Sequence, residues 1–161
     1  MSDVKTNYFS VILICALAIV LSGSSTSEDN RLRSYNRQFE TTCSRDVVLD
    51  VFYHHKHYKK YTPSVDKVTV LKPGDTSYVV KYSYSYIWGD VSLTYKKTIF
   101  PSTGTVTFEL LKYTSTSNYL PKIVQSRGYY RVEPGLNGKN KVSYRQEFRF
   151  NKNLSWVSRK V

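Results

Sequence analysis

The chain has 161 residues, of which 40% are apolar and 22% charged. That length fits one domain, and the apolar share is enough for a real core, which excludes a disordered chain. The formal net charge of +12 suits anionic partners. Yet Lys and Arg are scattered, with Lys59-Lys60 and Lys96-Lys97 only as pairs, so no basic run marks a nucleic-acid arm.

Phe9 to Leu21 is a short apolar run behind a start that carries Lys5, and Ser22-Gly23-Ser24-Ser25 follows. This is the layout of a secretory signal peptide and is short for a membrane span. Residues 1–25 are therefore expected to direct export, to the periplasm or beyond the cell. An uncleaved anchor is the alternative. Leu21-Ser22-Gly23-Ser24 resembles a lipoprotein cleavage box, but Ser24 stands where the lipidated Cys belongs, so lipid attachment lacks its nucleophile. Residues 26–33 are polar and read as a tether. Cys15 lies inside the leader, so the mature chain would keep only Cys43, with no internal disulfide. Cys43 reads as a small packed residue rather than a reactive thiol.

Ser34 to Thr42 alternates as a first strand. Ser44 or Thr42 can cap a helix that follows, in which Val47, Val48, Val51 and Phe52 form one apolar stripe. His54 to Tyr61 continues as a second short helix, ended by Thr62-Pro63-Ser64. From there the signals are strand and turn. Val65 to Leu71 precedes a turn at Lys72-Pro73-Gly74-Asp75. Tyr78 to Trp88 is a long strand, and Gly89-Asp90 is a turn signal. Val91, Leu93, Tyr95 and Lys97 alternate next, and Pro101 to Gly104 turns the chain back. Val106, Phe108 and Leu110 form another alternating face, followed by a polar loop from Thr114 to Asn118. Ile123 to Val132 is a strand that turns at Pro134 to Gly138, and Val142, Tyr144, Gln146, Phe148 and Phe150 mark the last one. Consecutive strands with short turns predict an antiparallel meander of about six or seven strands in an α+β chain.

Side chains in a strand alternate faces. Tyr78, Val80, Tyr82, Tyr84, Tyr86 and Trp88 therefore share one face, a ladder of amphipathic rings that needs a cover. The tyrosines are either ordinary sheet packing or a cavity wall whose hydroxyls orient a ligand. His54 and His57 could approach on a helix, but no third ligand is near, so they read as solvated and no metal is expected. Glu109 and Glu147 alternate away from apolar neighbours and face solvent. Arg127 shares parity with Ile123, Tyr129 and Arg131, so these arginines either line a cavity or mark the outer face, with the outer face preferred. No Gly-rich phosphate loop, Ser-His-Asp order or CxxC pair occurs, and no cofactor is expected.

Three stretches carry a resemblance. Asp46 to Phe52, with His57-Tyr58-Lys59-Lys60-Tyr61, Pro63 and Val65, is one; Ser126 to Pro134, with its Gly128-Tyr129-Tyr130, is the second; Lys141-Val142-Ser143-Tyr144 is the third. Together they resemble the helix-grip superfamily called START-like or SRPBCC, which includes polyketide cyclase and dehydrase-like proteins. The likeness covers residues 34–161. It implies a curved sheet around a C-terminal helix, with an apolar cavity between them for a lipid, sterol, polyketide or quinone. The ladder and the likeness together nominate Tyr78, Tyr82, Tyr84, Tyr86, Trp88, Leu93, Tyr95, Phe108 and Tyr129 as ligand-binding residues. The expected partner is a hydrophobic small molecule, lipid first, with an anionic membrane surface second and nucleic acid excluded. A cyclase- or hydrolase-type enzyme of the same superfamily is the alternative. Asn153 to Val161 resembles only the first turns of the gripping helix, with Asn153 as cap and Trp156 facing inward. So short a grip would leave part of the aromatic face wet, at roughly 25 cal/mol per Å².

Overall fold

A computed structural model of the chain describes residues 32–87, 89–118 and 122–151. The expected signal peptide, most of the tether, Trp88 and the helix stub from Asn153, with Trp156, lie outside the described residues. The strands are β1 (Arg33–Thr41), β2 (Lys67–Lys72), β3 (Ser77–Tyr86), β4 (Gly89–Phe100), β5 (Thr105–Ser115), β6 (Ile123–Pro134) and β7 (Asn140–Phe150). They form one sheet in the order β1-β7-β6-β5-β4-β3-β2, with every pair antiparallel. From β2 onward each strand therefore lies beside the next, as short turns dictate. β1 closes the series by docking on β7, with Arg37 opposite Tyr144 and Phe39 opposite Val142.

Two turns show how local chemistry sets the register. Tyr86 pairs with Gly89, so the chain reverses ahead of Gly89, and Gly89-Asp90 opens β4 instead of forming the turn. Gly89 has φ 124°, a region that side-chain-bearing residues rarely adopt. In β5, Tyr113 pairs with Leu93 but Leu110 pairs with Tyr95, which leaves one extra residue in β5. Such a bulge increases strand twist and bends the sheet.

Helix α1 (Arg45–Tyr53) starts at Ser44, whose Oγ accepts a hydrogen bond from the Val47 N–H at 3.4 Å. Its buried residues are Val48, Leu49, Phe52 and Tyr53, while Val47 is 53% exposed. The inner stripe is thus one residue further on than expected. A stripe at i, i+1, i+4 and i+5 fits both sets, and the set with Leu and Tyr buries more surface. Tyr53 anchors the choice: its ring meets Tyr78 edge-on at 4.9 Å and its hydroxyl donates to the Asp75 carbonyl at 2.9 Å. A short 3-10 turn (His55–His57) leads into α2 (Tyr58–Tyr61). α1 packs against β4, β5 and β6, and α2 against β2. Beneath α1 the core is closed by Val80, Val106, Val132 and Val142, all at most 2% exposed. Cys43, expected to pack, is exposed. It lies in the link between β1 and α1, which is held at the surface where the Cys43 carbonyl accepts from Asn140 Nδ2 at 2.8 Å.

Candidate functional site

The inward face of the sheet is built by alternation. β3 turns Tyr78, Val80, Tyr82 and Tyr84 toward the helices, and all four are buried. Tyr86, at the end of the strand, is 46% exposed, with its ring parallel to that of Tyr84 at 6.2 Å. Leu93 and Tyr95 of β4 and Phe108 of β5 pack on the same side, Tyr95 edge-on to Phe108 at 6.0 Å. Of the nominated residues, these are brought together on one face.

Tyr129 is not among them. It pairs with Thr107 and Arg145 and lies on the convex face, beside Lys96, Glu109, Arg127 and Glu147. Its neighbour Tyr130 is the inward residue, stacked on Phe52 of α1 at 4.1 Å and tilted against Tyr144 of β7 at 4.8 Å. The parity of β6 forces the exchange, since Gly128, Tyr130 and Val132 fall opposite Gln146, Tyr144 and Val142. Arg127 is accordingly outer. It donates to Glu147 at 2.9 Å, and this hydrogen bond, with help from Arg145, holds the Glu147 carboxyl below its usual range. Glu109 is also outer and exposed. His54 and His57 reach Asp50 at 3.2 Å and 2.9 Å, so one carboxylate accounts for two of the three histidines.

The inward hydroxyls converge. Tyr58 lies over Tyr82 with ring centroids 4.0 Å apart, and its hydroxyl is 3.4 Å from that of Tyr84. Burial, reinforced by neighbouring phenols, raises Tyr82, Tyr130 and Tyr144; burial, opposed by the hydrogen bond to Ser126 and helped by Tyr58, pushes Tyr95 up to about 12. These groups stay neutral through the physiological range and serve as hydrogen-bond partners, not as proton carriers. A polar thread runs between them. Tyr95 donates to Ser126 Oγ at 3.2 Å, Gln146 Nε2 donates to the same oxygen at 2.9 Å, and Tyr144 donates to Gln146 Oε1 at 2.5 Å. Ser126 is 1% exposed and accepts twice, so its own proton is left to donate. The Tyr82 hydroxyl is buried and has no hydrogen-bond partner beyond its approach to the Tyr78 phenol, whose pKa it helps to lower.

Despite this depth, Tyr58, Leu93, Tyr95, Tyr130 and Gln146 remain only half-buried. Partial exposure on the inward side means that the described helices cover this face incompletely. Two shallow depressions, of about 530 and 510 Å³, lie elsewhere. One is at the edge by Phe39, Pro134 and Leu136, and the other is on the convex face by Lys96, Arg127 and Tyr129.

Lys97 completes the inward face. It is 7% exposed, and its Nζ donates to the Phe52 carbonyl at 2.9 Å. The ammonium lies 5.6 Å from the Tyr58 ring centroid and 5.9 Å from that of Tyr82. Burial pulls it down to about 8. Sequence reasoning missed Lys97, Tyr58, Tyr130, Ser126 and Gln146 as site residues. For Lys97 and Gln146 the signal was present, because each falls in phase with aromatic residues of its strand.

No protein-family model matches the sequence, and no curated protein matches it. Solved structures do match. The chain is similar to the Zhui aromatase/cyclase from Streptomyces sp. R1128, with TM-score 0.63 and 17% identity over 75% of this chain and 70% of that one. It is similar to a START superfamily protein from Mycobacterium smegmatis, with TM-score 0.59 and 7% identity over 78% of this chain and 84% of that one. It is also similar to the ginseng major latex-like protein 151 from Panax ginseng, with TM-score 0.56 and 14% identity over 75% of this chain and 81% of that one. At such identities the likeness is one of fold. That fold is the START-like helix-grip, the α+β architecture expected from the sequence.

Proposed function

We propose that this helix-grip chain binds a hydrophobic small molecule, a lipid by first choice, against the inward face of β3 to β7. The observation that carries the proposal is that Tyr58 of α2 and Tyr95 and Tyr130 of the sheet are partly and not fully buried, so that some ring surface stays accessible on the inward side. Aromatic bodies supply desolvation, and a few hydroxyls supply orientation, which is the usual division of labour in a small-molecule site. Ser126, with a proton free to donate, is the polar group best placed to select orientation. Among the described residues, the inward positions of β3 to β7 hold no carboxylate, His or Arg, so binding without catalysis is favoured over an enzyme. The names of two structural neighbours, an aromatase/cyclase and a START superfamily protein, agree with an organic ligand. The apolar run of residues 9–21 supports a site of action outside the cytoplasm, and the net charge of +12 supports exchange at an anionic membrane surface.

The test is native mass spectrometry of delipidated protein offered a fatty acid, a phospholipid and a sterol. Uptake of at least one at a single site is expected. No uptake of any of the three refutes the proposal.

A further inference from the structure

We propose that the inward face selects apolar carboxylic acids, and that Lys97 with the Tyr82 hydroxyl receives the carboxylate. This rests on the hydrophobic-ligand function just proposed and names the head group of the ligand.

The starting point is an ammonium without a counter-charge among the described residues. Lys97 follows Leu93 and Tyr95 on the inward face of β4 and ends between α1, α2 and β3. An ammonium carries three N–H donors. The Phe52 carbonyl takes one, and the rings of Tyr58 and Tyr82 offer π-faces at the outer limit of useful distance. These are partial charges. A cation taken out of water ordinarily requires a full opposite charge with good geometry. The carboxylates that make ion pairs among the described residues, such as Asp50, Glu133 and Glu147, are engaged elsewhere. Burial is accordingly what depresses Lys97, with no anion holding it up.

The surroundings fit one kind of guest. The groups about the ammonium are the neutral phenols Tyr58, Tyr78 and Tyr82, and His55, which burial and then neighbouring positive charge hold low. None of them can neutralise it. The Tyr82 hydroxyl is buried and, apart from its approach to the Tyr78 phenol, has no hydrogen-bond partner, so it is a second donor able to turn to an acceptor. A carboxylate is planar, accepts at both oxygens and carries the missing charge. The partly buried rings of Tyr95, beside Tyr82, and of Tyr130, against Phe52 and Phe108, continue along the same face and give an apolar tail its path. An alcohol would satisfy the hydroxyl and leave the charge, and a quaternary amine would add a second cation.

The test compares dodecanoic acid, 1-dodecanol and dodecyltrimethylammonium by calorimetry or reporter displacement near neutral pH. The acid is expected to bind at least about tenfold more tightly than the alcohol, as charge-assisted hydrogen bonds require. In Lys97→Met that preference is lost while the alcohol still binds. In Tyr82→Phe, which removes one oxygen and leaves the packing, the preference shrinks. Equal binding of acid and alcohol to the native chain overturns the head-group assignment and leaves the hydrophobic site standing. A preference for acid that survives both substitutions overturns the roles of Lys97 and Tyr82. Binding of none of the three overturns this inference together with the function on which it rests.

Discussion

Lys97→Met removes a buried charge while keeping most of the volume of the side chain. Burial holds the Lys97 ammonium at about 8 in the folded chain against an ordinary 10.5. A tenfold change in proton affinity is worth about 1.4 kcal/mol, so keeping Lys97 protonated near neutral pH costs the fold about 3 kcal/mol. Its hydrogen bond to Phe52 offsets about 1 kcal/mol of that. The Met variant is therefore expected to be more stable by about 2 kcal/mol near pH 7. The pH dependence is the sharper signature. Below about 8 both the folded and the unfolded chain hold the proton, and the penalty is complete. Between about 8 and 10.5 the unfolded chain holds the proton and the folded chain does not, so the stability of the native sequence rises with pH. The raised phenols act in the opposite direction as pH passes above their ordinary 10, but they are common to both proteins and cancel in the difference. Urea denaturation at about pH 7 and about pH 10, followed by circular dichroism, measures the gap. The reasoning is refuted if the Met variant is no more stable near neutrality, or if the gap is the same at both pH values.

Three further substitutions or probes test the frame around the site. Gly128→Ala would place a Cβ 2.1 Å from the Arg145 carbonyl oxygen and 2.5 Å from Phe108 Cζ, so β6 must shift from β7; a loss of about 3 kcal/mol or more in urea melts is expected, and a neutral effect would contradict the pairing. Ser126→Ala strips Tyr95 and Gln146 of their shared acceptor and is expected to cost about 1–3 kcal/mol by the same melts, more than the loss of one exposed hydroxyl. Cys43 is expected to react with a maleimide in the native state as fast as an unhindered thiol, read by peptide mapping; protection until denaturant is added would show that it packs after all.

The sheet was legible because its strands announce themselves by a period of two, and β3 does so with four rings in alternate positions. Where two registers were equally periodic, the sequence could not choose. In α1 both valine-led stripes satisfy helical spacing, and only the contact of Tyr53 with Tyr78 selects one. In β6 two adjacent tyrosines sit on opposite faces, and stacking on Phe52 decides that Tyr130 goes inward and Tyr129 outward. Ser126 was hidden for another reason, because its two hydrogen-bond partners come from β4 and β7, far off in the chain. Lys97 falls in phase with Val91, Leu93 and Tyr95, yet a lysine beside a second lysine reads as surface until its depth is seen.

The cost of Lys97 also bears on why the inward face should bind an acid. As a cap on α1, its bond to Phe52 is worth about 1 kcal/mol, less than the burial of its charge. A methionine would fill the same space without that deficit. The balance changes when a carboxylate arrives, since an opposite charge restores the ammonium toward its ordinary value and removes the penalty. Ligand and proton are then linked: each strengthens the hold of the other, as binding equilibria that share a group must. A bound apolar acid should consequently stabilise the chain most below about pH 8, where Lys97 is charged, and least near 10, where it is not. An equal thermal shift by dodecanoate at both pH values would mean that the acid binds without using the charge.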